Sequence, residues 1–267
     1  MPSYLWYKKC LDGFVESEHP RDEDGKFTDK NGGGSSGGST ESHIENTKSF
    51  VYQGGKVDLK GATNPENISL MNDALDEVQK KYPFHLEEIS TFSSRGVRLA
   101  QAEGTHKLQV AKHFINMTAD QKKEFYENNS SNYKNIIQSS IDNFRTKYLE
   151  NEKVPDVVKR KAEAQIKQWE KDLRYERHNA ISSPDMITKG IVWHEMGHIL
   201  MARNPGDSGY LAQQAMNAAI ATRDIYKIGR YAATNRYEFF AECFSLKMQG
   251  EELPSYVENM LKKVLEQ

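Results

Sequence analysis

Residues 191–200 read IVWHEMGHIL, an apolar run that places His194, Glu195 and His198 at its centre. Ile187, Ile191, Val192, Trp193, Met196, Ile199, Leu200 and Met201 are apolar nearly all round, so a helix built from this segment is central and largely buried. Upstream, Ser183 followed by Pro184 and Asp185 offers an N-cap, a first-position proline and a first-turn acid, which predicts a helix from there through about residue 203. Asn204-Pro205-Gly206 should end it, because the residue before a proline avoids the α region and glycine relaxes the next turn. On such a helix His194 and His198 share one face a turn apart, the spacing at which two imidazoles grip one tetrahedral metal. Glu195, rotated by about 100°, can reach a metal-bound water without occupying the metal. A buried carboxylate with no partner would be costly there. Gly197 weakens the helix by about 1 kcal/mol relative to alanine, which predicts that something approaches its backbone closely.

Two histidines leave a catalytic zinc site incomplete. The extended pattern HExxHxxGxxH fails, since Met201 replaces its glycine and Asn204 its last histidine, so an acidic ligand from a later helix is required. Residues 234–245, TNRYEFFAECFS, carry Glu238 and Glu242 four apart on one face, with Phe239, Phe240, Ala241 and Phe244 packing around them. Like charges at that spacing repel. A metal on one and an imidazole N–H on the other would offset the repulsion. We assign Glu238 to the metal and Glu242 to the hydrogen bond that holds a ligating histidine in its tautomer. The reverse assignment stays open, as does a reading in which both glutamates lie on the solvated face of an amphipathic helix.

HExGH followed about forty residues later by NxxEFFAExF resembles the gluzincin metallopeptidases, and within them the lethal-factor-like toxin and phage-borne catalytic domains. The resemblance covers residues 185–248. It implies an α+β, zincin-like fold, helix-rich with a small mixed sheet packed on the HExxH helix, and a Zn2+ cofactor held by His194, His198 and Glu238. It also implies a metalloendopeptidase in which Glu195 takes a proton from a zinc-activated water, with a protein or peptide as substrate. In that family a tyrosine seven residues before the third ligand assists the reaction. Tyr231, in GRYAATNRYEFF, stands at that spacing and could donate a hydrogen bond to the oxyanion or the leaving amine. Tyr237 is the competing tyrosine, turned about 100° from the ligand. Two other readings carry the same motif: a phage head-associated protein in which zinc is a folding staple, and a toxin that cuts one host protein only.

The remaining sequence bounds these readings. The chain of 267 residues is ample for one core, yet only 37% of residues are hydrophobic, so part of its length should not pack. That part is assigned to residues 1–46, where a charged segment precedes the Gly/Ser linker NGGGSSGGS, leaving 47–267 as the metallopeptidase domain. The stretch HPRDEDGKFTDKNGGG is similar to tails on phage head-morphogenesis proteins. That similarity implies phage head proteins as partners and a bacterial host cytoplasm, or the virion, as the location. With 36 Lys and Arg against 38 Asp and Glu and no basic run, nucleic acid is not an expected partner. No secretory signal or ~18-residue apolar span is present, which predicts no membrane association. Cys10 and Cys243 form no CxxC pair and suggest no disulfide framework.

Elsewhere, Asn64 and Pro65 predict a helix with Ile68, Met71, Leu75 and Val78 on its inner face, ending before Pro83. The runs FHLEEISTF, GVRLAQAE and THKLQVAKHFI read as a small β-meander. The last strand, residues 107–114, is the expected sheet edge for an extended substrate. Thr118 with Gln121 forms a capping box before a helix, and residues 131–149 and 155–174 read as two more. Further helices are expected at 208–226, 234–249 and 254–266.

Overall fold

The computed structural model describes residues 55–94, 98–172 and 181–266, without the side chains of residues 129–133, 136, 171 and 172. The expected tail over 1–46 lies outside the described residues. The architecture is α+β, with helices predominating and a mixed four-stranded sheet.

Helix α1 (Pro65–Lys81) starts where expected, because the Asn64 side-chain oxygen accepts from the backbone N–H groups of Glu66 and Asn67 at 3.1 and 3.2 Å. Its Ile68, Met71, Leu75 and Val78 are buried. Strands β1 (Lys56–Asp58), β2 (Glu88–Phe92), β3 (Ala100–Glu103) and β4 (Lys107–Ala111) form a sheet in the order β1-β2-β4-β3. β1 and β4 both run parallel to β2, and only β3 and β4 make an antiparallel pair.

The meander expectation is therefore corrected, and so is the edge assignment of residues 107–114. β4 lies inside the sheet, flanked on both sides, and Lys112–Ile115 is a short helix, α2. Burial accounts for the order: β4 contributes Leu108 and Val110, both at 0% exposure, whereas β3 is AQAE, with weak strand formers and an exposed end, and takes the edge. β1, absent from the sequence reading, is three exposed residues with no alternation to betray it.

The capping box forms: Thr118 Oγ1 accepts from the Gln121 N–H at 3.3 Å, and Gln121 Oε1 accepts from the Thr118 N–H at 2.9 Å. The helix it starts, α3 (Ala119–Tyr148), is continuous, where two helices were expected. No glycine or proline interrupts it. Helix α4 (Asp156–Asp172) packs on α3 around its own cluster of Ile137, Ile141 and Ile166, joined by Phe144 and Trp169, with Arg145 and Glu170 paired at 3.2 Å.

Pro184–Met186 is a 3-10 turn, and the α-helix proper, α5, runs Ile187–Met201. Ser183 makes no side-chain cap bond, so the expected cap is corrected; the turn's own hydrogen bond from the Met186 N–H to the Ser183 carbonyl, at 3.1 Å, starts the segment instead. Asn204 and Pro205 open the next helix, α6 (Pro205–Thr222), rather than forming a loop, because proline at the first position needs no hydrogen-bond partner. Then follow α7 (Ile225–Ile228), α8 (Arg236–Met248) and α9 (Ser255–Leu265). α5 is central, packed against α1, β3 and α8, with Val192, Met196 and Ile199 fully buried. The Trp193 indole N–H ties it to α1 through the Ala74 carbonyl at 3.1 Å. Among the described residues no helix is long and apolar enough to cross a membrane.

Candidate metal centre

The site is a seam between α5 and α8. On α5, Gly190, His194 and Gly197 recur at four and three; on α8, Glu238, Ala241, Glu242, Ser245 and Gln249 do the same, so each helix turns one small or polar stripe to the other. Gly197 brings the helices close: a Cβ on it would stand 2.8 Å from the Ala241 Cα, nearer than side-chain carbons approach backbone. Close approach was expected at this glycine, and the neighbouring backbone is that of the helix carrying both glutamates.

This contact lets short side chains meet. His194 Nε2 lies 3.1 Å from His198 Nε2 and 3.1 Å from Glu238 Oε2, and His198 Nε2 lies 3.2 Å from the same oxygen. His194 Nδ1 lies 2.8 Å from Glu242 Oε1. Glu238 and Glu242 are 1% and 2% exposed, which excludes the reading that put them on a solvated face. Glu195 is buried beside His194. The Tyr231 ring, on the 3-10 turn Tyr231–Ala233 before α8, lies 6.0 Å from that of His194. The Tyr237 hydroxyl accepts from Arg236 Nη2 at 2.9 Å, and its ring lies under the same guanidinium.

The donor set fits a tetrahedral cation. With Nδ1–H donated to Glu242, a neutral His194 turns its Nε2 lone pair toward His198 Nε2 and Glu238 Oε2. Zinc–nitrogen bonds of ~2.0–2.1 Å imply ligand–ligand edges of about 3.3 Å, close to the triangle seen here. Among the described residues, His194, His198 and Glu238 are the single group of three such side chains able to hold a metal. The electrostatics bear on the charge of the pocket rather than on the tautomer. Burial disfavours the His194 imidazolium, yet hydrogen bonds to Glu238 and Glu242 outweigh it and hold its pKa well above 6.5. Burial also disfavours the Glu238 carboxylate, but His198 and His194 outweigh that and hold its pKa well below 4.5. The pocket therefore favours positive charge between buried acids.

Two braces were missed in the sequence. Ser245 Oγ donates to the Gly190 carbonyl at 2.8 Å, and Gln249, whose Oε1 accepts from the Ser182 hydroxyl at 2.8 Å, donates to Ser245. Together they lock the start of α5 to the end of α8. Their signal is the continuation of the Glu238–Glu242 stripe by serine and glutamine at three and seven further residues. The other is the Asn235 cap of α8, whose Oδ1 accepts from the Glu238 N–H at 3.0 Å.

With zinc as the bound ion, Glu242→Ala should keep the fold and weaken its binding by roughly 10–100-fold, because the His194 ring loses the partner that sets its tautomer. Chelator competition measures it, and unchanged affinity would remove Glu242 from the site.

No family model matches the chain, and no curated protein or solved structure is found to be similar to it.

Proposed function

We propose that the protein is a zinc metalloendopeptidase of the gluzincin kind. The observation that carries this reading is the triangle of His194 Nε2, His198 Nε2 and Glu238 Oε2, with edges of 3.1, 3.1 and 3.2 Å. Among the described residues three protein donors converge, which favours catalysis over a folding staple, since structural zinc is closed by four protein ligands and catalytic zinc keeps a position open. Bound there, zinc supplies Lewis acidity to a water and to a substrate carbonyl.

The chain's own residues supply the rest. Glu195 takes the proton of the attacking water on its carboxylate and passes it to the departing amide nitrogen. Tyr231 donates its hydroxyl hydrogen bond to the oxyanion of the tetrahedral intermediate. Glu242 keeps the His194 Nε2 lone pair aimed at the metal by accepting from Nδ1–H. An extended peptide pairs with the outer side of β3, which packs on α5 and has no further strand beside it among the described residues.

The test is metal removal and restoration on the whole chain. Freshly isolated protein should carry about one zinc, lose peptide cleavage in chelator and regain it with added Zn2+. Terminal-residue proteomics in a host lysate covers a narrow-specificity protease that a generic peptide library would miss. Absence of stoichiometric zinc, or of any zinc-dependent new termini, would overturn the proposal.

A further inference from the structure

Among the described residues three helices begin with a side-chain cap, and they use the third helical residue differently. At α3, Gln121 in that position turns back to the Thr118 backbone N–H at 2.9 Å, the ordinary capping-box use of a Gln or Glu there. At α1, Asn64 caps through its own oxygen, and the third residue, Asn67, donates instead to the Ile115 and Met117 carbonyls at 3.0 and 2.8 Å. α8 repeats the α1 arrangement. Asn235 Oδ1 accepts from the Tyr237 N–H at 2.9 Å and from the Glu238 N–H at 3.0 Å, and the third residue is Glu238.

Glu238 therefore occupies the position from which a glutamate would normally fold back onto its own helix start. Its carboxylate instead points across the seam to both histidines. Two consequences of the Asn235 cap favour that orientation. The cap accepts from the Glu238 N–H itself, so it holds the backbone from which the carboxylate reaches across. The first turn of α8 is also held against fraying only three residues from the helix start, where Glu238 sits; Glu242, a full turn further in, needs no such hold.

We infer that Asn235 is a positioning residue for the metal-ligating carboxylate of Glu238, its cap fixing the backbone from which that carboxylate reaches the metal. The inference rests on the zinc-site reading above.

The full-length chain is compared with Asn235→Ala, Asn235→Gly, Asn235→Ser and, as a matched control, Asn64→Ala, reading zinc affinity by chelator competition and thermal stability by circular dichroism. Asn235→Gly secures the test if the alanine variant unfolds, because glycine is tolerated at a cap while removing the side-chain oxygen. Zinc binding should weaken roughly tenfold in Asn235→Ala and Asn235→Gly and return to within about threefold of wild type in Asn235→Ser. Asn64→Ala, which removes the cap of α1 and a hydrogen bond to the Met117 carbonyl away from the site, should lower stability and leave zinc affinity unchanged. Wild-type affinity in Asn235→Ala or Asn235→Gly, or equal weakening by Asn64→Ala, overturns the inference while leaving the zinc site standing. A wild-type chain without stoichiometric zinc overturns both.

Discussion

Glu195→Gln should retain zinc at wild-type affinity and lose at least about 10²-fold in peptide cleavage, with 10²–10⁴ the usual worth of a positioned general base. The reasoning is positional. Glu195 follows His194 on α5, so its side chain is turned by about 100° and is not one of the three converging donors. Glutamine keeps the size and the hydrogen-bonding oxygen of the side chain but cannot take a proton at neutral pH. Metal content and cleavage should therefore separate, which a variant of a ligand cannot achieve: His194→Ala or Glu238→Ala should lose both together. Cleavage rates with a zinc assay on the same preparation decide the matter. Turnover near the wild-type rate in Glu195→Gln would show that another group handles the proton.

Gly197→Ala is the second large effect, and here stability and metal binding should fall together. An alanine gains about 1 kcal/mol of helix propensity, so on an open face the change would stabilise. Gly197 faces the Ala241 Cα, where the new Cβ would stand at 2.8 Å against backbone that has no rotamer to turn away. Phe244 Cβ, at 3.3 Å, closes the same space. The helices must separate, and such overpacking costs about 1–3 kcal/mol. Because both histidines stand on α5 and Glu238 on α8, any separation also opens the donor triangle. Gly206→Ala is the control: a Cβ there meets nothing within 4 Å. Denaturant midpoints and zinc affinity of the two variants should diverge, with Gly206→Ala close to wild type. Equal stability and zinc binding in Gly197→Ala would mean that α5 and α8 do not meet as described.

Much of the site was legible because helical period converts spacing directly into a shared face. His194 and His198 four apart, Glu238 and Glu242 four apart, and a glycine between the histidines all translate into geometry without tertiary information. The helix caps at Asn64 and Thr118 were legible for a similar reason, since the donors they satisfy lie two or three residues away. The end of α5 was placed within two residues, but α6 was expected at 208 and begins at Pro205, because Asn-Pro marks both the end of one helix and the start of the next, and only the packing of α6 selects between them.

The sheet was read less well. Runs such as KLQVA announce a strand but not its neighbours, and whether β4 pairs with the strand before it or also with β2 depends on which apolar face needs covering. The sequence by itself determined two paired chemical groups on two buried helices and the small residue that allows those helices to touch. Only the tertiary structure decided that both glutamates face the histidines, with Glu238 on the Nε2 side and Glu242 on Nδ1, and that β3 rather than β4 lies at the edge beside α5. The first kind of information is local and follows from backbone period. The second comes from long-range packing, where burial of Leu108 and Val110 on one side and of Phe239, Phe240 and Phe244 on the other sets which surfaces meet.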